Sequence, residues 1–153
     1  MINVLVFHDR DDCPPHFRDY LNDRGFKAAW YQKPSECMSR VKKGLGKVDA
    51  IVLHKDLGQH IPEEWHTGVN ADVVASLIHE DGNHVRVIVV SGEYPDGTKH
   101  VLNMGVDAYC NAIDVTSEWM LQQLRKGSVS NSEIALRGRK VEMPNNTSHI
   151  ERW

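Results

Sequence analysis

The feature that most constrains the fold is a set of three continuous apolar runs rich in β-branched residues, at residues 2–7, 48–53 and 85–90. Because these runs are unbroken rather than alternating, they are typical of strands covered on both faces in a parallel sheet. Two weaker strands are predicted at residues 26–31 and 106–110, each after a glycine of the kind that ends helices, Gly25 and Gly105. The sequence therefore predicts five strands.

Helical patterns fill the gaps between these strands, at residues 16–24, 34–43, 71–79, 96–104 and 116–126. Alternation of strands and helices with short connections predicts right-handed crossovers. We therefore expect an α/β fold, a three-layer α/β/α sandwich around a doubly wound, five-stranded parallel sheet. In such folds the working site lies at the carboxyl ends of the strands, near the point where the strand order reverses.

Composition and charge narrow the class of protein. With 41% apolar and 25% charged residues, the chain of 153 residues has the balance of a soluble domain. The net charge of -3 argues against binding to nucleic acid or anionic lipid, since both need a basic surface. The sequence has no apolar stretch of the roughly 20 residues that a membrane span needs and no secretory signal pattern. Its three cysteines form no CxxC pair, so we expect a cytoplasmic protein.

The sequence divides near residue 126, with a domain at residues 1–126 and a linker and C-terminal tail or arm at residues 127–153. Residues 128–132, SVSNS, are typical of a flexible linker. Residues 133–143 contain two short, partly apolar runs that fit a hairpin or a small arm. Docking on a neighbouring subunit, the start of an output region and disorder all stay open for this tail.

Four segments at the predicted strand ends have a recognisable order and spacing: VLVFHD at residues 4–9, DAIVLH at 49–54, VIVVSG at 87–92 and GVDAY at 105–109. On these segments, residues 1–126 resemble a receiver domain of two-component response regulators. The resemblance implies a flavodoxin-like receiver fold. It also implies a role in bacterial signal transduction through protein-protein interaction rather than as an enzyme.

In that family, an aspartate after the third strand takes a phosphoryl group. An acidic pair after the first strand helps it to hold Mg²⁺, which offsets the phosphoryl charge. A Ser or Thr after the fourth strand and a lysine after the fifth contact the product, and an aromatic residue on the fifth strand follows the hydroxyl inward. The resemblance places Asp9 at one acidic position, Ser91 at the hydroxyl position and Tyr109 at the switch aromatic.

The remaining positions of the phosphorylation pocket carry different chemistry. His8 replaces the second acid, His54 replaces the phosphoacceptor aspartate and Ala112 replaces the lysine. An imidazole forms no acyl phosphate, and without the lysine no ammonium neutralises a phosphoryl group. We therefore expect an atypical receiver, or pseudo-receiver, that acts without aspartyl phosphorylation and needs no cofactor.

Two alternatives stay open for this pocket. Phosphorylation could be displaced to a nearby acid, either Asp56, two residues beyond His54, or Asp9. Alternatively, His8, Asp9 and His54 place two imidazoles and a carboxylate at adjacent strand ends. That ligand set suits Zn²⁺ or Fe²⁺ better than Mg²⁺ and would make the chain a metal- or small-ligand-sensing domain.

Three aromatic residues are candidates for contact with a protein partner. The resemblance implies that Tyr109 and Trp119 line the face that receivers commonly use for partners and for dimerisation, so we expect a homodimer through the helix at residues 116–126. Trp65 lies in the long connection at residues 55–70. Loops of that length often carry function, and Trp65 could anchor a partner or cover the pocket.

Overall fold

The computed structural model describes residues 1–8, 16–54, 71–81, 84–91, 105–111 and 117–144. The strands are β1 (Ile2–Phe7), β2 (Phe26–Tyr31), β3 (Ala50–His54), β4 (Arg86–Ser91) and β5 (Ala108–Asn111). The helices are α1 (Phe17–Asn22), α2 (Pro34–Lys42), α3 (Ala71–Asp81), α4 (Ser117–Arg125) and α5 (Asn131–Ala135). The helix predicted at residues 96–104 lies outside these ranges.

The five strands form one parallel sheet in the order β2-β1-β3-β4-β5. This order confirms the predicted doubly wound, flavodoxin-like sheet. The chain runs outward from β1 to β2 and then returns past β1 to β3. The switch point of the sheet, where ligands bind in folds of this kind, therefore lies between the carboxyl ends of β1 and β3.

The core consists of two apolar layers, one on each face of the sheet. Successive residues of a strand point to opposite faces, so Leu5 and Phe7 of β1 pack in the layer under α2 and α3. Val4 and Val6 pack in the layer under α1 and α4. Every residue of β3 is buried, which explains why its sequence is a continuous apolar run rather than an alternating one.

Strand β3 begins later in the chain than the apolar run that predicted it. The carboxylate of Asp49 accepts the backbone N–H of Asn3 at 2.8 Å and the hydroxyl of Ser128 at 3.0 Å, and the N–H of Val48 donates to the carbonyl of Leu45 at 3.0 Å. The turn therefore lies at residues 46 and 47, and residues 48 and 49 lead from it into the strand. His54, which the sequence places after β3, is instead its last residue.

Residues 127–144, which we call the C-terminal arm, return to the sheet. The serine-rich stretch, whose composition is typical of a linker, here supplies the N-cap of α5. The Ser130 hydroxyl accepts the N–H of Glu133 at 3.3 Å, and the Glu133 carboxylate accepts the N–H of Ser130 at 3.2 Å. Beyond α5, Glu142 pairs with the outer edge of β5 through a parallel bridge to Ala108.

The arm therefore extends the sheet beyond β5. The N–H of Tyr109 donates to the carbonyl of Glu142 at 2.9 Å, and the N–H of Glu142 donates to the carbonyl of Asp107 at 3.1 Å. Whether the chain divides into functional parts at residue 126 stays a prediction. Of the helices described, none has both the length and the apolar character needed to cross a bilayer.

Candidate functional site

Two histidines lie together at the switch point of the sheet. Strands β1 and β3 pair with Phe7 beside Leu53, so the next residue along each strand, His8 and His54, also lie side by side. Their ring centroids are 4.3 Å apart and their ring planes are inclined at 56°. The two residues are only 4% and 6% exposed. The structure thus brings together two of the residues predicted for the pocket.

The surrounding backbone fixes the position of this histidine pair. The N–H of His8 donates to the carbonyl of Tyr31 on β2 at 3.0 Å, and the residues that precede the histidines, Phe7 and Leu53, are fully buried. A neutral imidazole offers one donor and one acceptor nitrogen. The pair can therefore exchange hydrogen bonds with a polar ligand or bind a transition metal ion, but it offers no carboxylate for acyl phosphate formation.

The same edge of the sheet continues across β4 and β5, where Ser91 and Asn111 are neighbours in register. The Asn111 residue is 6% exposed, and sequence reasoning did not include it in the pocket. The available signal was a polar residue at the end of an apolar strand. Ser91, which the sequence places after the fourth strand, is instead the last residue of β4, and its side chain lies outside the described part of the structure.

The two aromatic residues predicted for a partner face lie largely in the core. Tyr109 is 5% exposed and belongs to the apolar layer under α2 and α3, against which Val141 and Met143 of the arm also pack. Trp119 is half-buried and packs against the opposite layer. In this arrangement the arm, rather than a free surface, lies beside Tyr109.

Four predicted residues lie outside the described ranges: Asp9, Asp56, Trp65 and Ala112. Within those ranges, no cluster of three or more His, Cys, Asp or Glu side chains is arranged to hold a metal ion. The histidine pair supplies two of the three ligands in the metal hypothesis, and the third is Asp9. The metal site and the displaced phosphorylation site both stay predictions.

A polar cluster that the sequence did not suggest lies at the opposite, amino-terminal end of β4 and β5. Arg137 of the arm donates to both carboxylate oxygens of Asp107 at 3.0 Å and to the carbonyl of Val85 at 2.6 Å. The same carboxylate accepts the N–H of Val87 at 2.8 Å. This cluster attaches the arm to the sheet, and its partners are too far apart in sequence to form a motif.

A second ion pair attaches α5. Arg86 is 3% exposed, and it donates to the Glu133 carboxylate at 2.9 Å and to the carbonyl of Gly127 at 2.9 Å. The hydrogen bond from Arg86 is the largest cause that holds the pKa of Glu133 below its ordinary value. A buried arginine inside an apolar run is otherwise costly, and Glu133 compensates its charge.

No model of a known protein family matches the chain, and no curated protein sequence matches it. Solved structures do match its fold. A receiver domain protein from Clostridium thermocellum has a TM-score of 0.67 at 13% identity, over 82% of this chain and 93% of that one. A response regulator from Burkholderia pseudomallei, with a phosphorylated aspartic acid, calcium ion and citrate, has a TM-score of 0.63 at 18% identity, over 89% of this chain and 71% of that one.

A third similar structure is the response regulator TrrA from Thermotoga maritima in complex with Mg²⁺ and BeF. Its TM-score is 0.63 at 15% identity, over 82% of this chain and 98% of that one. At these identities the likeness shows the fold alone. The fold is the flavodoxin-like fold of response regulator receiver domains, and the switch-point edge described above is the part of it that carries the candidate pocket.

Proposed function

We propose that this chain is a receiver-like signalling module whose state is set by binding a protein partner rather than by phosphorylation of an aspartate. The observation that carries the proposal is the buried contact between His8 and His54, with ring centroids 4.3 Å apart. The sequence resemblance puts His54 at the phosphoacceptor position. The similarity to the fold of receiver domains, which are signalling modules, supports the signalling role.

The chemistry of the histidine pair supports the other part of the proposal, that the module acts without phosphorylation of an aspartate. Mg²⁺ prefers oxygen ligands in octahedral geometry, whereas imidazole suits transition metals. His8 and His54 each stand where the resemblance implies a carboxylate, so the pocket loses two oxygen ligands, one of which is also the nucleophile. Without the metal and the nucleophile, in-line phosphoryl transfer to an aspartate loses both its charge compensation and its acceptor.

We further propose that the arm is the route by which this pocket communicates with a partner. Tyr109 stands at the switch aromatic position of the resemblance, and its N–H donates to Glu142 of the arm at 2.9 Å. A displacement of Tyr109 would therefore move the outer edge of the sheet. A homodimer through α4 and a cytoplasmic, bacterial setting remain part of this proposal. Size-exclusion chromatography with light scattering tests whether the chain forms the homodimer.

The proposal is tested by an NMR titration of the ¹⁵N-labelled full chain, first with Mg²⁺ and then with beryllofluoride, which mimics a phosphoryl group on aspartate. We expect the amide signals of His8, His54, Asn111 and Tyr109 to stay in place when beryllofluoride is added. Saturable shifts that need both additions would contradict the proposal. If those shifts centre on Asp56 or Asp9, they would establish the displaced phosphorylation site instead.

The matched control is the double variant His8→Asp/His54→Asp, which restores carboxylates at both positions. We expect this variant to gain Mg²⁺-dependent shifts, because oxygen ligands then replace the imidazoles. A dispersed amide spectrum first establishes that the variant is folded. If the variant shows no more Mg²⁺-dependent shifts than the original chain, the loss of Mg²⁺ binding is due to another position of the pocket, and Ala112 is the next position to change.

The same contact favours a second candidate function, metal sensing. Two buried imidazoles side by side are a donor set that Zn²⁺ accepts. Isothermal titration calorimetry with Zn²⁺ tests this candidate, with His54→Ala as the variant and His84→Ala, at an exposed position, as the control. Stoichiometric binding lost only in His54→Ala would establish the metal site, and equal binding by all three proteins would exclude it.

A further inference from the structure

The acidic net charge of the chain conceals a strongly basic segment. Residues 24–47 contain seven lysines and arginines and one acid, Glu36, a net charge of +6 in a chain whose total is -3. All other residues together therefore carry a net charge of -9. The basic segment forms β2 and α2 with their connections. A local charge of this size attracts anionic groups even to an acidic protein.

Two adjoining cavities lie between β2 and α2. Their volumes are about 360 Å³ and about 320 Å³, and Tyr31 and Arg40 line both of them. Lys27 and Lys47 line the larger cavity, and Lys43 lines the smaller. The larger cavity also extends over β1, where Asn3, Val4 and Leu5 line it, and together the two cavities form one open groove. We call it the basic groove and define it by Tyr31, Arg40 and the three lysines.

The cations of the basic groove are available to a ligand. Lys27, Lys43 and Lys47 are exposed, and no carboxylate within the described ranges forms an ion pair with them. Arg40 donates to a backbone carbonyl at the end of α2 at 2.9 Å, which positions its guanidinium without neutralising it. The acid in the lining, Glu36, lies 3.9 Å from a different lysine on its own helix turn.

The groove lies beside an open strand edge. β2 is the outermost strand of the sheet, and its outer edge pairs with no strand in the described part of the chain. Its alternate residues Lys27, Ala29 and Tyr31 line the groove. An open edge offers a row of backbone donors and acceptors to an extended chain. With six residues, β2 is about 20 Å long, enough for one short extended segment.

We propose that the basic groove and the β2 edge bind an extended, acidic segment of a partner protein. The backbone of the segment pairs with β2, and its alternate acidic side chains meet Lys27, Lys47 and Arg40. Strand pairing sets the path of the segment and charge complementarity selects it. A nucleic acid fits this surface less well, because a long polyanion would run past the groove onto the acidic remainder of the protein.

Tyr31 lines the groove and its carbonyl also accepts the N–H of His8. The proposal rests on the lysines, Arg40 and the β2 edge, so it goes beyond the function proposed above and does not depend on it. A failure of the beryllofluoride experiment concerns the pocket alone. A failure of peptide binding concerns the groove alone.

The test is fluorescence anisotropy of a labelled, capped peptide in which Glu and Val alternate, titrated with the full chain. We expect saturable binding that weakens as NaCl rises from about 50 to about 300 mM, since exposed charges are screened over that range. In the NMR spectrum the peptide should shift the amide signals of β2. Anisotropy that stays flat up to about 1 mM protein, which corresponds to less than about 4 kcal/mol of binding, would overturn the proposal.

Two comparisons separate the groove from general charge effects. Lys27→Glu/Lys47→Glu should weaken binding about tenfold, because each reversal removes an exposed ion pair and adds a repulsion of similar size. The matched variant Arg125→Glu/Arg139→Glu, with the same charge change at exposed positions outside the groove, should bind within about twofold of the original. Equal losses in the two variants would overturn the proposal.

Two further ligands test the kind of partner. A peptide with proline in place of valine loses half of its backbone donors and is restricted in its backbone angles, so we expect it to bind more weakly. Equal binding of the two peptides would overturn the pairing with β2. A labelled oligothymidylate tests the nucleic-acid alternative. Tighter binding of the oligothymidylate than of the acidic peptide, lost in Lys27→Glu/Lys47→Glu, would assign the groove to nucleic acid and overturn the choice of a protein partner.

Discussion

The guanidinium of Arg137 donates two hydrogen bonds to the carboxylate of Asp107, both 3.0 Å long, between side chains that are 11% and 5% exposed. Two parallel bonds from an arginine to a carboxylate make a strong, directional ion pair. Because Asp107 directly precedes β5 and Arg137 belongs to the arm, this pair joins the arm to the edge of the sheet. The arm is therefore part of the folded domain at this point.

Removing Arg137 should destabilise the whole domain. We expect Arg137→Ala to lower the free energy of unfolding by about 3–5 kcal/mol, because the buried carboxylate of Asp107 would lose its compensating charge. Urea unfolding followed by circular dichroism measures the change. The control is Arg139→Ala, an exposed neighbour that should cost less than about 0.5 kcal/mol. Equal decreases in the free energy of unfolding for Arg137→Ala and Arg139→Ala would contradict a stabilising role of the ion pair.

Acid should weaken the attachment of α5 to the domain. The hydrogen bond from Arg86 holds the pKa of Glu133 below its ordinary value of 4.5, although burial acts in the opposite direction. A carboxyl whose pKa is lower in the folded state stabilises the fold above its unfolded pKa, and this contribution is lost as the pH falls through the folded pKa. The attachment should therefore be intact near neutrality and weaken below pH 4.5.

Urea unfolding of Glu133→Gln at several pH values tests this expectation. The variant should have a lower unfolding midpoint than the original chain near pH 7, and the two midpoints should converge as the pH falls below 4.5. Glu80→Gln, at an exposed position of α3, serves as the control and should leave the midpoint unchanged. A gap between Glu133→Gln and the original chain that persists in acid would refute the role of Glu133.

Gly105 should be more sensitive to substitution than Gly46. It has a φ of +69°, and a Cβ added there would lie 3.3 Å from the Cε1 atom of His79. We expect Gly105→Ala to cost about 1–2 kcal/mol, since backbone strain and crowding act together. Gly46→Ala, with nothing within 4 Å of the added Cβ, should be neutral. Thermal denaturation of the two variants compares them, and equal melting temperatures would count against this account.

The thiol of Cys37 should resist alkylation in the folded protein. Burial, with a further contribution from Glu36, raises the pKa of Cys37 to about 12, and the thiolate is the form that reacts. We expect iodoacetamide at about pH 8 to leave Cys37 unmodified until urea unfolds the chain. Peptide mass spectrometry after timed labelling gives the rate at each cysteine. Rapid labelling of Cys37 without urea would show that α2 opens readily.

The sheet could be predicted from sequence because its signals are local. The strands predicted at residues 2–7 and 26–31 coincide with β1 and β2, and Pro34 begins α2 as predicted. The predicted start of β3 at residue 48 is two residues too early, and an apolar run does not show that the Asp49 side chain binds a backbone N–H just before the strand. Apolar periodicity reports burial, but it does not report which polar side chain ends an element.

The candidate pocket was partly predictable for a geometric reason. His8 and His54 follow apolar runs in a parallel sheet, and the carboxyl ends of such strands share one edge, so their proximity follows once the strands are paired. The attachment of the arm was not predictable. Asp107 and Arg137 are 30 residues apart and share no local pattern, and Arg86 looks like an interruption of its strand until Glu133 is placed beside it.

The bridge between Ala108 and Glu142 leaves the molecule with two unlike sheet edges. At the β5 edge the chain has already added its own extra segment, whereas β2 remains open among the residues described. Since the arm already occupies the β5 edge at Ala108, we expect a strand from a partner, or the β2 strand of another copy, to add to the sheet at β2.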